Sequence, residues 1–497
     1  MTMRLQNLTE RGETALARGA DREVLGLTMD SREVKQGFLF VAIPGTQQDG
    51  RAFLQNAIAA GATSVLVPEG TDLTAIPENV AVLTAPNIRR ALSSVASRFY
   101  PRQPACIAAV TGTSGKTSTV QFARQLWTKD GHKSASLGTL GLISPDENHY
   151  GSLTTPDPVT LHKILDETAE KNVTHLAMEA SSHGIELNRL DFVRLQIAAF
   201  TNLGRDHMDY HVTEENYFTA KRRLFTDLLP RGSTAVLNAD SPYFAQLLAT
   251  CAERGHKVIG FGAKSDDIRL LAQNPDPRGQ ILKLKIFGKA YEIRLPLIGA
   301  FQAWNALCAL GIALGTGVPQ DKAMATLEKL EGVPGRLELI GHTKSGGTVF
   351  VDYAHKPPAL ESVLETLRPH ITSHSGARLH VAFGCGGNRD KGKRPIMGEI
   401  AQRLADEVIV TDDNPRKEEA DTIRKEILAG CKASPHLREI GDRALAIEEG
   451  IKALRKNDIL VIAGKGHEEG QIVGDKILPF NDAEVARRFL KKEKLLP

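Results

Sequence analysis

The ten residues Val110-Thr-Gly-Thr-Ser-Gly-Lys-Thr-Ser-Thr119 constrain this chain more than any other stretch. Ahead of them, Ala105 to Val110 is a short apolar run of the kind that forms a buried strand. Behind them, Val120 to Lys129 mixes apolar and polar residues at helical spacing. A strand, a glycine loop and a Lys-Thr pair opening a helix form the context that a phosphate-binding loop requires. Glycines let the backbone curl so that several N–H groups point at an anion, and the helix N-terminus adds partial positive charge. In such a loop Lys116 reaches the outer phosphates and the Thr117 hydroxyl can ligate Mg²⁺. Val110 stands where the strict pattern has its first glycine. The loop alone leaves two readings open, a nucleotide cradle and a plain strand–turn–helix corner.

At 497 residues the chain exceeds one core, and roughly 150 residues per domain gives about three. The formal charge of +3, from 62 basic and 59 acidic residues, gives no global reason to expect nucleic acid as a partner. The five cysteines are scattered, with no pair at metal-ligand spacing, so a reduced, cytoplasmic setting is expected. The first residues lack the apolar core of a signal peptide. Leu297 to Leu314, the longest apolar stretch, is interrupted by Gln302, Trp304 and Asn305 and reads as a buried helix, not a membrane insertion.

The expected fold class is α/β in three domains. Residues 1–103 form a small α/β unit, with strands Phe38 to Ile43 and Ser64 to Pro68 and a helix Phe53 to Ala60 between them. Residues 104–335 alternate strand and helix as a doubly wound parallel sheet does, with strands at Ile107 to Val110, His175 to Met178, Ala198 to Thr201 and Thr234 to Leu237. Helices are expected over Val159 to Lys171 and Glu214 to Leu229. Residues 336–497 form a third, Rossmann-like unit with strands Thr348 to Asp352, Leu379 to Phe383, Glu407 to Thr411 and Asp458 to Ala463. Polar clusters follow the strands, where ligands bind in such sheets.

Those clusters carry the chemistry. Glu179 can hold Mg²⁺ opposite Thr117, or can simply cap a helix. His183 and His207 read equally as hydrogen-bonded structural residues. Lys221 looks from spacing like a surface lysine. Arg389 and Arg416 sit in strand-end loops beside Gly or Pro, where a guanidinium fork can take a carboxylate. Asp413 and Glu468 can take an ammonium. Two arginines and two acids suit a zwitterionic amino acid, and they equally suit an inter-loop salt-bridge network.

Taken together, Gly112-Thr-Ser-Gly-Lys-Thr117, Glu179-Ala-Ser-Ser-His183, Thr201-Asn-Leu-Gly-Arg-Asp-His207, Asn305, Gly335-Arg336, Asp352-Tyr-Ala-His355 and Gly464-Lys-Gly-His467 resemble the Mur ligases, ATP-dependent amino-acid ligases of cell-wall peptide synthesis. Asp413-Asn-Pro-Arg416 resembles the branch that adds meso-diaminopimelate to UDP-N-acetylmuramoyl-L-Ala-D-Glu; lysine-adding relatives usually lack that Arg. The resemblance implies an acyl phosphate formed from ATP, then attack by the amine, with two Mg²⁺ ions. It implies that Gly112, Thr113, Ser114, Gly115, Lys116, Thr117 and Ser118 hold the triphosphate, and that Asn305, Arg336 and Asp352 contact the nucleotide. Thr117, Glu179, His207 and Lys221 become metal-site positions, Lys221 as a carbamate; Lys116, Lys221 and His207 become catalytic. Met29, Ser31, Thr46, Gln47, Gln48, Thr154, Thr155, Ser181 and Arg189 become contacts of the UDP-muramoyl-dipeptide. Arg389, Asp413, Asn414, Pro415, Arg416, Gly464 and Glu468 become the diaminopimelate pocket. Leu153 and Leu187 stand where some relatives carry polar substrate contacts. The partners expected are these small molecules alone, acting on a monomer. A lysine-adding ligase, a folylpolyglutamate-synthase-like ligase and a regulatory P-loop NTPase are the alternatives.

Overall fold

The apolar run ahead of the glycine loop forms the strand Cys106–Thr111, buried almost throughout in the middle of a parallel sheet. A computed structural model of the chain describes residues 2–45, 48–149, 153–204, 208–276, 279–372 and 376–495. In the parallel part of that sheet the strand order is Ser134–Gly138, His175–Glu179, Cys106–Thr111, Ile197–Phe200, Thr234–Asn238, Lys257–Gly262 and Ile268–Asp276. Its strands read as continuous apolar runs because helices cover both faces. The expected strands all appear, within a residue or two at each end. Among the strands absent from the sequence reading are Ala81–Ala85, Ser134–Gly138, Lys257–Gly262 and the run of three over Ile268–Asp276, Gly279–Ile286 and Lys289–Leu295. In the last two of these, exposed charged residues (Lys283, Lys285, Lys289, Glu292 and Arg294) dilute the apolar signal.

Contacts divide the chain into two units. The first holds residues 1–270, 284–290 and 304–326, and the second holds 271–283, 291–303 and 327–497. Within the first, the N-terminal residues have their own five-stranded sheet, parallel except for the edge strand Ala15–Arg18. The helix Ile88–Phe99 covers it. Asn87 accepts from the Arg90 amide at 3.1 Å as N-cap, and Ala91, Leu92, Val95, Ala96 and Phe99 are buried at helical spacing. The same helix is tied to the central sheet's helices. Arg90 bridges Glu13 and the buried Asp191, and Asp191 also accepts from Arg223 at 2.8 Å. Asp191 thereby anchors the helix Glu214–Arg223.

That helix differs from the expected Glu214 to Leu229 span. It closes at Arg223 and continues as one π-turn over Leu224–Leu228. Lys221 lies on its apolar face with Tyr217 and Phe218 and is 1 % exposed. The surface-lysine reading is therefore corrected. The signal was present, because Lys221 falls four residues after Tyr217 and four before Phe225.

The second unit is built on a six-stranded sheet ordered Glu338–His342, Thr348–Asp352, Ile459–Ala463, Leu379–Phe383, Glu407–Val410 and Leu437–Glu439, parallel except at its first edge. Arg443 is fully buried beneath its strand ends. It takes Asp482 through two 2.7 Å bonds and donates to the carbonyls of Asp412 and Ala463. Removing one partner of such a pair strands a buried charge. Arg443→Ala is expected to destabilise this unit by about 3–5 kcal/mol, read as an earlier urea transition. The double variant Arg443→Met, Asp482→Leu should recover most of that loss.

Among the described residues no helix is long and apolar enough to cross a membrane. The stretch from Leu297 becomes the helix Ala300–Gly315.

Candidate active site

The glycine loop is held from both sides. The Thr113 amide donates to the Asn202 carbonyl at 2.9 Å, and the Ser114 amide donates to the Asn202 side-chain oxygen at 3.0 Å. Thr201 returns a hydroxyl bond to the Ser114 carbonyl at 2.7 Å. Asn202 ends the strand Ile197–Phe200 beside the loop's own strand, so the sheet register fixes the loop.

Gly115, at φ +83°, is the N-cap of the helix Lys116–Asp130. A Cβ there would lie 2.2 Å from the Asn305 side-chain oxygen, which places Asn305 over the loop. Gly115→Ala is expected to push Asn305 away and lower kcat/KM for ATP at least tenfold, about 1.4 kcal/mol. Steady-state kinetics at varied ATP check this.

Two lysines converge behind the loop. Lys116 donates to the carbonyls of Gly112 at 2.8 Å and Thr113 at 3.0 Å, and Lys221 donates to the same Gly112 oxygen at 2.9 Å. The Lys221 ammonium also lies 4.3 Å from the centre of the Tyr217 ring. Two cationic heads beside the N-terminus of a long helix make a corner that attracts anions. Ser118 is buried on the first turn of that helix.

Glu179 closes the other side. It is 1 % exposed, and its Oε1 accepts from the Thr117 hydroxyl at 2.9 Å and the Thr139 amide at 2.8 Å. A hydroxyl and a carboxylate at this separation are the hard oxygen donors that Mg²⁺ prefers. Thr139, absent from the sequence reading, also contacts Thr154 at 3.1 Å. Thr155 bridges the Glu179 carbonyl and Ser181, each at 3.0 Å, and Arg189 donates to the Thr155 carbonyl at 2.8 Å. Ser181 caps the short helix Ser182–Glu186. Thr154, Thr155, Ser181, Arg189 and Glu179 thus form one connected group. His183 stacks on Tyr210 with ring centres 4.0 Å apart.

In the N-terminal sheet, Met29 is exposed and Ser31 opens a short turn capped by Asp30. The Gln48 carbonyl accepts from the Gly45 amide. Thr46, Gln47 and His207 lie outside the described residues.

In the second unit, four strand-end loops enclose a cavity of about 890 Å³. Arg389 and Arg416 both line it, and among the described residues neither is paired with a carboxylate. Arg416 donates to the Gly387 carbonyl at 3.0 Å, with its backbone at φ +55°. Asp413 is 7 % exposed, and its Oδ1 is buried without a hydrogen-bond partner. Lys465, fully buried, stands 3.7 Å from that oxygen and donates to Asn414 at 3.0 Å and Glu468 at 3.1 Å. Asn414 donates to Glu468 at 2.8 Å. Gly464 follows the strand Ile459–Ala463 at φ +119°, and the Pro415 carbonyl packs against Gly387.

The salt-bridge-network reading holds for the two acids, which both pair with the buried Lys465, while Arg389 and Arg416 stay outside it among the described residues. A second set of inter-loop bridges runs through Arg394, fully buried against Glu418 at 3.0 Å and Glu426 at 2.6 Å. The Arg394 guanidinium and the Asn388 amide hold the Glu418 carboxyl down at about 2. Lys465 and Arg394 were not singled out in the sequence, although Lys465 lies inside a quoted motif.

Arg336 lies over the Tyr353 ring, which also meets His355 edge-on at 4.7 Å and stacks on His467 at 5.2 Å. The Asp352 carboxylate accepts from the amides of Leu337 at 2.7 Å and Ala354 at 2.8 Å; burial raises its pKa. Burial holds the His355 and His467 rings below the usual histidine range.

Comparison with known proteins gives three family profiles along the chain. The profile described as "Mur ligase family, catalytic domain" matches residues 23–100, "Mur ligase middle domain" matches 110–313, and "Mur ligase, glutamate ligase domain" matches 335–466. A UDP-N-acetylmuramoyl-L-alanyl-D-glutamate–2,6-diaminopimelate ligase of Mesorhizobium japonicum is 51% identical over 473 residues, 95% of this chain and 96% of the relative. The enzyme of the same name from Rhizobium meliloti is 51% identical over 468 residues, 94% of each chain. A solved structure bearing that name superposes with a TM-score of 0.73 at 32% identity, covering 95% of this chain and 96% of the other. Profiles across all three sheets and half-identical relatives over nearly the full length agree on one assignment: the chain belongs to the Mur ligase family.

Proposed function

We propose that the chain joins meso-2,6-diaminopimelate to the D-Glu side-chain carboxylate of UDP-N-acetylmuramoyl-L-Ala-D-Glu at the expense of ATP. The observation that carries this reading is the second-unit pocket, where two guanidiniums without carboxylate partners among the described residues face a buried carboxylate oxygen that lacks a hydrogen bond. A zwitterion with a second carboxylate satisfies all three groups. L-Lysine leaves one guanidinium unpaired, which is the arrangement that discriminates most strongly between near-isosteres. The names of the half-identical relatives support the same choice.

In this reading the residues Gly112 to Ser118 hold the triphosphate, with Asn305, Arg336 and Asp352 as further nucleotide contacts. Met29, Ser31, Thr46, Gln47, Gln48, Thr154, Thr155, Ser181 and Arg189 hold the UDP-muramoyl-dipeptide. Arg389 and Arg416 take the carboxylates of diaminopimelate, while Asp413 and Glu468 take its ammonium. A D-Glu carboxylate oxygen attacks the γ-phosphorus and ADP departs, giving an acyl phosphate. The amine nitrogen then attacks the activated carbonyl carbon, loses its proton, and inorganic phosphate departs. Lys116 and the helix N-terminus stabilise the charge that gathers on the transferring phosphoryl oxygens. Thr117 and Glu179 would hold one Mg²⁺, and His207 and a Lys221 carbamate would complete a two-ion site; the ions neutralise phosphate charge.

Purified protein with the UDP-dipeptide, ATP and Mg²⁺ should release phosphate on addition of meso-diaminopimelate, and EDTA should abolish the release. Turnover of L-lysine at an equal rate would overturn the amino-acid choice. Phosphate release indifferent to both co-substrates would instead identify a simple NTPase.

A further inference from the structure

The short hairpin Gly470–Val473 and Lys476–Pro479 has no part in the reading above, yet it is bonded to almost every residue of the Asp413–Arg416 motif. The Arg416 amide donates to the Ile472 carbonyl at 2.9 Å, and the Gly474 amide donates to the Arg416 carbonyl at 2.7 Å. The Ile472 amide donates to the Asn414 side chain at 2.9 Å, and the Gln471 side chain donates to the Asp413 carbonyl at 2.8 Å. Lys465, which orders the pocket's acceptors, donates to the Gly470 carbonyl at 2.6 Å.

These bonds hold Arg416 at φ +55°, a conformation that a non-glycine residue keeps only when its surroundings impose it. That backbone sets where the side chain leaves the loop, and the Gly387 carbonyl then takes the guanidinium at 3.0 Å. A two-stranded hairpin is marginal by itself in water, so motif and hairpin order each other. Its turn depends on Gly474, at φ +61° with open space where a Cβ would stand.

We infer that the 470–479 hairpin is a specificity-determining element, which aims Arg416 at the distal carboxylate of the amino-acid substrate by fixing its backbone. This rests on the diaminopimelate reading.

The test uses the full-length enzyme and three variants. Gly474→Val introduces no collision but resists a positive φ, whereas Gly474→Asn tolerates it. Gln471→Ala removes one bond from the motif. The ratio of kcat/KM for meso-diaminopimelate over L-lysine should fall at least tenfold in Gly474→Val and about threefold in Gln471→Ala. It should stay near wild type in Gly474→Asn, and KM for ATP should remain within twofold throughout. An unchanged ratio in folded Gly474→Val overturns the inference; if that variant does not fold, an unchanged ratio in Gln471→Ala does so. Amide exchange across 413–416 reads the same hold without any substrate and should rise in Gly474→Val but not in Gly474→Asn. Unchanged exchange overturns the hairpin's role. A wild-type enzyme without preference for diaminopimelate refutes the substrate reading instead.

Discussion

Lys221→Ala is expected to reduce kcat by about 10³-fold, the scale of removing one preorganised electrostatic group from a reacting centre. The side chain is buried on the apolar face of its helix, and its ammonium meets the Gly112 carbonyl behind the glycine loop. Truncation therefore changes the charge at that corner directly. The proposed carbamate adds a specific consequence. An amine that has taken up CO₂ presents two oxygens where a cation stood, so small carboxylates that enter the space left by the alanine should restore part of the rate. Acetate and formate titrated into the variant check this, with KM for ATP followed in parallel. A variant that is inactive but indifferent to every carboxylate would remove the carbamate from the mechanism and leave Lys221 as a cationic anchor. Full activity would remove the lysine altogether.

Arg416→Ala carries the second large effect. A charge-assisted hydrogen bond contributes about 1.5–3 kcal/mol, so kcat/KM for meso-diaminopimelate should fall by about 10- to 150-fold. Turnover of L-lysine should hold or rise, because the unpaired guanidinium that it met is gone. Arg416→Lys should not restore the wild-type preference, since an ammonium lacks the planar fork that grips a carboxylate at two points. Competition between the two amino acids for one enzyme sample reads the ratio directly. An equal loss for both substrates would mean that Arg416 only shapes its loop.

Local patterns in the sequence reached a long way. The apolar runs before Gly112, Glu179, Asp352 and Gly464 located the strand ends, and a strand end is where such sheets bind ligands. The bend of the glycine loop was equally legible, because glycine at a positive φ is a local requirement, met at Gly112 and Gly115. The hairpin over 470–479 was not. Its residues Gly470-Gln-Ile-Val-Gly-Asp-Lys-Ile-Leu-Pro479 show a turn signal, but nothing local says that the turn clasps Arg416.

Lys221 marks the same boundary more sharply. Its four-residue offset from Tyr217 and Phe225 put it on the apolar face of its helix, yet propensity alone sends a lysine outward. Arg394, Arg443 and Lys465 repeat the pattern, since a single charged residue looks alike in sequence whether exposed or buried. Their burial depends on partners far along the chain: Glu418 and Glu426 for Arg394, Asp482 for Arg443, and Asn414 for Lys465.

What the sequence by itself determined was most of the strands around the site, the glycine loop and the residues offered at each strand end. Only the tertiary structure decided which charges are paired and which face the pocket. Asp413 and Arg416 lie 51 and 48 residues from Gly464 in sequence, and the parallel order of their strands brings them to one cavity. Long-range pairing of this kind is settled by packing and desolvation, which no local pattern encodes.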